Sequence, residues 1–244
     1  MAAAAAPTAI AAEVADAPTA ADAATANAAV SIPLGGAERS SFAYTSCYCE
    51  ENAYLLIKRL VEEEEEGAEA WAVFVSNRER VVPIWRQRAA RRDPGGAPVL
   101  WDYHVFAVAR GAANPPPEQP YRVYDLDTTI EPFPVAFDDY RRQALRPSAA
   151  AASPPRRYRV VRAADLLVRF SSDRSHMRAA DGRGWASPPP PWPPIGGGDN
   201  NSNTLPLFLD MRRPDEDGDD RSDGRGRVMT EDEFYEFFAA PLPL

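Results

Sequence analysis

The chain has 244 residues, with 27 basic against 36 acidic side chains and a formal net charge of −9. That acidic balance gives no long-range attraction for a polyphosphate backbone, which speaks against a dedicated nucleic-acid binder or a basic membrane-surface protein. No window approaches the ~18–20 continuous apolar residues that span a bilayer, so a soluble protein is expected.

Residues 1–40 hold 18 alanines and no aromatic, whereas all aromatic residues lie at or after Phe42. Four acids (Glu13, Asp16, Asp22, Glu38) and a lone Arg39 oppose a secretory or transit peptide. Residues 1–40 are expected to be a disordered, low-complexity tail, with a cytoplasmic or nuclear location by default and one folded domain over 41–244. Cys47 and Cys49, one residue apart, are a poor fit to a disulfide, which excludes a stapled secreted domain.

Apolar residues Ala53, Leu56, Ile57, Leu60 and Val61 recur at helical spacing behind Glu50 and Glu51, whose charges suit the first turn of a helix. β-like runs follow at Trp71–Ser76, Arg80–Trp85, Val99–Ala109 and Tyr121–Asp127, read as an antiparallel meander. Arg159–Val161 predicts a strand and Ala163–Phe170 a short helix. A Pro/Gly-rich stretch at 186–198 and an acidic stretch at 215–227 predict loops. Thr230-Glu231-Asp232-Glu233 fits a capping box ahead of Phe234, Phe237 and Phe238. Helix first, sheet in the middle and small helices later predict an α+β fold.

The chemical inventory is short: two cysteines and two histidines. Cys49 falls at the predicted helix start, where free N–H groups and the dipole favour a thiolate and lower the thiol pKa; the alternative is a small buried cysteine. Pairing the two strands about a hairpin centred between Asn114 and Pro115 sets His104 opposite Asp125 and Asp102 opposite Asp127 on one face. A carboxylate accepting the Nδ1–H of His104 would make it a general base, and spacing leaves open which acid serves. A zinc site built from Cys47, Cys49, His104 and His176 is disfavoured by the C-x-C spacing and the distance between the histidines. His176, in a polar cluster, reads as loop-ordering. Pro188–Pro194, with Trp192, is either a polyproline ligand for a partner or a stiff wall of a cleft, and the wall is favoured.

Thr45-Ser46-Cys47-Tyr48-Cys49-Glu50-Glu51-Asn52, Val75-Ser76-Asn77, Pro83-Ile84-Trp85, Trp101-Asp102-Tyr103-His104, Tyr124-Asp125-Leu126-Asp127 and Ser172-Asp173-Arg174-Ser175-His176-Met177 together resemble the protein N-terminal glutamine amidohydrolase family, in the same order from about Ser41 onward. The resemblance implies a papain-like fold with the nucleophile helix on an antiparallel sheet, and a monomer that needs no cofactor or metal. It implies Cys49 as nucleophile, His104 as base and Asp125 as orienting acid. The substrates would be proteins or peptides beginning with glutamine, with neither nucleic acid nor membrane as partner, and the glutamate product would feed the arginylation branch of the N-degron pathway.

For such a reaction the Cys49 backbone N–H would hold the oxyanion, with the Tyr48 and Ser46 side chains as candidate second donors. Asp102, Asp127 and Glu51 are candidates for the substrate α-ammonium. Two other readings remain: a cysteine peptidase or transglutaminase-like acyltransferase using the same three residues, and a non-catalytic Pro-rich adaptor.

Overall fold

The computed structural model describes residues 38–63, 69–90, 96–110, 120–147, 153–179, 181–196, 203–213 and 224–239. The tail before Glu38, the loop at 111–119 and most of the expected acidic loop lie outside them. In chain order the elements are α1 (Cys49–Glu63), β1 (Glu69–Ser76), β2 (Val82–Ile84), β3 (Val99–Trp101), β4 (His104–Arg110), β5 (Tyr121–Tyr124) and β6 (Val135–Ala136). They continue with α2 (Phe137–Tyr140), a π-turn at Arg141–Leu145, β7 (Arg157–Arg162), α3 (Ala163–Arg169), α4 (Leu205–Phe208), β8 (Arg227–Met229) and α5 (Glu231–Phe237).

Six strands form one antiparallel sheet in the order β6-β5-β4-β1-β7-β8. Successive side chains of a strand point to opposite faces, so a strand covered on both sides reads as a continuous apolar run. Central β1 is such a strand: Ala72 and Phe74 face α1, while Trp71, Val73 and Val75 face the other way. On the first face α1 buries Ala53, Leu56, Ile57 and Leu60, joined by Leu166 and Phe208. On the second, Phe137, Tyr140, Phe234 and Phe238 close the core, and Phe234 stacks on Tyr158 with ring centroids 4.1 Å apart. The fold is therefore α+β, as the order of elements predicts, and no helix among the described residues is long and apolar enough to cross a membrane.

The expected capping box forms: Thr230 Oγ1 accepts from the Glu233 N–H and Glu233 accepts from the Thr230 N–H at 2.8 Å. Other expectations need correction. The sheet is no simple meander, because β2 and β3 pair only with each other and β7 returns to the far side of β1. The expected strand Val99–Ala109 breaks at Asp102, whose carboxylate accepts the Tyr103 N–H at 2.9 Å, so β3 and β4 join different sheets. The β4–β5 register is displaced by two residues, with Ala107 opposite Tyr124 and Ala109 opposite Arg122. The parity is unchanged, so the same face is kept, but Asp125 meets His104 from the turn beyond β5 and Asp102 does not oppose Asp127. The folded unit also starts before Ser41: Arg39 donates to Glu131 at 2.8 Å and to the Ile130 carbonyl at 3.0 Å.

Candidate active site

Asn52 shapes the start of α1. Its side chain closes a two-way bond with Thr45, accepting from the Thr45 N–H at 2.9 Å and donating to the Thr45 carbonyl at 2.8 Å. The chain between them turns through Cys47, whose φ of 71° is left-handed backbone, and delivers Cys49 as the first helical residue, buried while Cys47 is exposed.

Glu51 anchors the Pro-rich stretch to this helix end. Its carboxylate takes two bonds from Arg174, at 2.7 and 2.8 Å, and a third from Trp192 Nε1 at 2.8 Å. Arg174 also donates to the Trp192 carbonyl at 2.8 Å, and Tyr48 donates its hydroxyl proton to the Ser187 carbonyl at 3.0 Å. The segment thus lies against its own domain. Glu51 is thereby taken and is not left to accept an α-ammonium, and the Tyr48 hydroxyl is committed away from an oxyanion. Ser46 is exposed and faces Cys47.

His104 opens β4 and is fully buried. Its Nε2 bonds Asp125 Oδ1 at 2.9 Å, so the orienting acid engages Nε2 rather than the expected Nδ1. Asp125 Oδ1 also accepts the Asp127 N–H, and Oδ2 accepts from Gln87 Nε2 and the Tyr140 hydroxyl, each at 2.9 Å. Burial alone would raise the Asp125 pKa, but His104 and these donors hold it below the ordinary carboxylate value. Burial likewise disfavours imidazolium, yet the Asp125 charge prevails and His104 is raised above 6.5. Asp127 is pushed up, by burial first and by the Asp125 charge, although His104 pulls the other way; it accepts the Tyr44 hydroxyl at 2.6 Å. The sequence gives no sign of Gln87 and Tyr140, which reach Asp125 from elements with no helical or strand periodicity linking them to it.

Cys49 lines a cavity of about 400 Å³ together with Trp101, Asp102, Tyr103, His176 and Leu205. Trp101 lies over the His104 ring with centroids 4.8 Å apart, tying the cavity wall to the imidazole. The thiol is not lowered as its helix position predicts. Burial pushes it well above the ordinary range, the Glu50 carboxylate adds to this, and an N–H bond from Val105, the residue after His104, opposes it. Burial and a near carboxylate outweigh the helix dipole here. Cys49 Sγ lies 3.7 Å from Glu50 Oε2, which also accepts from the Tyr103 hydroxyl at 3.1 Å.

Four buried polar atoms around this site have no hydrogen-bond partner among the described residues: His104 Nδ1, Gln87 Oε1, Trp101 Nε1 and Glu50 Oε1. Buried polar groups are seldom left unpaired. Glu50 and Trp101 were missed by sequence reasoning; the two adjacent acids of Glu50-Glu51 look alike as first-turn charges and only tertiary structure tells them apart.

As to metals, the four ligands of the zinc reading do not converge. The cluster that does is His104, Asp125 and Asp127, with ligand atoms within 4.8 Å of one another. Both Asp125 oxygens there already accept two hydrogen bonds each, so a cation would have to displace them.

A buried thiol at a helix start, with an imidazole–carboxylate pair behind the same cavity, is the equipment of enzymes that work through a thioester. Comparison with known proteins narrows this class. Residues 44–238 match the family model described as N-terminal glutamine amidase, and the chain belongs to that family. It is 39% identical over 218 residues to the human protein N-terminal glutamine amidohydrolase, covering 87% of this chain and 96% of that one. It is 41% identical over 198 residues to the Drosophila mojavensis protein of the same name, covering 80% and 88%, and 40% identical over 205 residues to that of Drosophila melanogaster, covering 83% and 91%.

Proposed function

We propose that the protein hydrolyses the side-chain amide of an N-terminal glutamine in proteins or peptides, giving glutamate and ammonia. The observation that carries this is the buried Cys49 on a cavity whose Trp101 wall stacks on His104 of the His104–Asp125 pair, in a chain that covers 96% of its human relative. The nucleophile is Cys49, the base His104 and the orienting acid Asp125. Because Nε2 is held by Asp125, Nδ1 is the imidazole nitrogen left to take the thiol proton. Sγ then attacks the amide carbon, and the proton passes from Nδ1 to the departing nitrogen, which leaves as ammonia. Water, giving its proton to the same nitrogen, attacks the thioester carbon; Sγ leaves, takes the proton back and the glutamate is released.

The oxyanion is held by the Cys49 backbone N–H and by Trp101 Nε1, a buried donor on the cavity wall with its proton unused. The layout of α1 on an antiparallel sheet, with Cys49 starting the helix and His104 starting a strand, supports the papain-like reading. The enzyme acts as a monomer on transiently bound substrates in the cytoplasm or nucleus, and its product supplies the arginylation branch of the N-degron pathway. The test is ammonia release from two peptides of equal composition, one beginning with glutamine and one carrying it internally. Release from the first alone, lost in Cys49→Ala, is expected; equal release from both would point instead to a general acyltransferase or glutaminase.

A further inference from the structure

Glu50 and Glu51 are neighbours in sequence, both buried, and treated very differently by the fold. Glu51 is matched by the Arg174 guanidinium and the Trp192 indole. Glu50, 1% exposed, receives the Tyr103 hydroxyl and the Cys49 thiol on Oε2, while Oε1 has no hydrogen-bond partner among the described residues. His176 does not fill this gap. Tyr103 has one hydroxyl proton and gives it to Glu50, so in the tautomer that carries its hydrogen on Nε2, His176, 3.3 Å away, donates to the Tyr103 oxygen. Nε2 sits 3.3 Å from Oε1, an ion pair when His176 is protonated, but makes no hydrogen bond to it. A buried carboxylate with a bare oxygen is costly unless a cation or donor completes it.

Resting on the glutamine amidohydrolase reading above, we propose that Glu50 Oε1, beside the reacting thiol and behind the Tyr103 and His176 walls of the cavity, accepts the α-ammonium of the substrate's N-terminal glutamine. The α-nitrogen of glutamine is four bonds from its amide carbon. Sγ must touch that carbon, and Oε1 belongs to a carboxylate whose other oxygen is 3.7 Å from Sγ, so one glutamine side chain spans the two points. Of the three acids that the sequence puts forward for this role, Glu51 is taken by Arg174 and Asp127 by Tyr44, while Asp102, on the cavity wall, is solvated and already accepts the Tyr103 N–H. Glu50 also explains why a chain terminus is needed. An internal glutamine carries an amide nitrogen there, with no charge to complete the carboxylate. A bound ammonium neutralises the charge that opposes ionisation of Cys49, so recognition and activation of the nucleophile fall on the same group.

The experiment compares ammonia release from a dipeptide beginning with glutamine and from its analogue in which a hydroxyl replaces the α-ammonium. Wild type should prefer the ammonium substrate strongly. In Glu50→Gln, which keeps the shape and loses the charge, the kcat/KM ratio between the two should fall by at least about 30-fold, the range for removing one partner of a buried charged pair. A merely structural defect would lower both substrates together and leave the ratio intact. If Glu50→Gln does not fold, Glu50→Asp, which withdraws the carboxylate by one methylene, should also lower the ratio. An unchanged ratio in a folded variant, or loss of the ratio in Asp102→Asn instead, overturns the assignment of Glu50 while leaving the amidohydrolase reading standing. Wild type that releases ammonia from neither substrate overturns both.

Discussion

His104 Nε2 and Asp125 Oδ1 are 2.9 Å apart with neither side chain exposed, and this contact raises the imidazole pKa above its ordinary 6.5. Since the proposed base must be neutral to accept the thiol proton, kcat/KM should climb with pH to a midpoint above 6.5. Asp125→Asn removes the charge that holds the proton on. The midpoint should then shift down, and the rate should fall by about 10²–10⁴-fold, because the imidazole is no longer held in the productive tautomer. A pH–rate profile for each protein checks this, and an unmoved midpoint in Asp125→Asn would separate the acid from the base.

The same contact sets a pH dependence of stability. The His104 pKa is raised on folding, so its contribution is complete below about 6.5 and fades as pH rises through the folded value. The Asp125 pKa is lowered, so its contribution is complete above about 3.8 and fades as pH falls through its folded value. The stability lost in Asp125→Asn, on the order of 3–5 kcal/mol for breaking a buried pair, should therefore be larger at pH 5.5 than at pH 9. Denaturant midpoints at the two pH values measure the difference, and a larger loss at pH 9 would reverse the assigned shifts.

How far this site is legible in the sequence depends on which contacts are local. α1 is legible because Ala53, Leu56, Ile57 and Leu60 obey a helical period that any packing partner can use. The groups proposed to react stand out because so few cysteines and histidines compete for the roles. What surrounds them is not: Gln87 reaches Asp125 across 38 residues and Tyr140 across 15. Strand pairing was right in face and wrong by two residues in register, since alternation constrains parity while the turn sets the offset. The thiol pKa failed for a related reason. The helix-start rule is local, whereas burial and the orientation of Glu50 toward Sγ arise only when β4 and the turn at Tyr103 close over the helix.

Cys49 and Cys47 should separate cleanly. Cys49→Ala should abolish turnover, whereas Cys47→Ala, exposed and one step outside the helix, should keep it within a few-fold. With the thiol pushed above its ordinary value of about 9, alkylation of Cys49 by iodoacetamide in a Cys47→Ser background should show a midpoint above pH 9 and no low-pH plateau. A midpoint below that ordinary value would mean that the resting enzyme holds a thiolate–imidazolium pair.

Trp101→Phe keeps the ring over His104 and deletes only the indole N–H. If that N–H serves the oxyanion, kcat should fall by about 10²-fold or more with KM nearly unchanged, as for loss of one such donor. Equal loss in kcat and gain in KM would make Trp101 a wall alone.

The Glu51–Arg174–Trp192 cluster makes a separate structural prediction. Glu51→Ala leaves Arg174, 5% exposed, without its counter-charge and frees the Trp192 indole. Stranding one member of a buried ion pair costs about 3–5 kcal/mol. For a domain of this size each kcal/mol shifts Tm by about 2–4 °C, so Tm should drop by roughly 6–20 °C. The Pro-rich wall hangs on the same carboxylate, and its release should red-shift the Trp192 fluorescence in the folded variant. Leu207→Ala, at a half-exposed position on α4 opposite no such cluster, is the comparison and should move Tm by far less. If Glu51→Ala and Leu207→Ala melted together, the anchoring of the Pro-rich segment by Glu51 would be wrong, because a free strap would cost the domain nothing beyond a surface change.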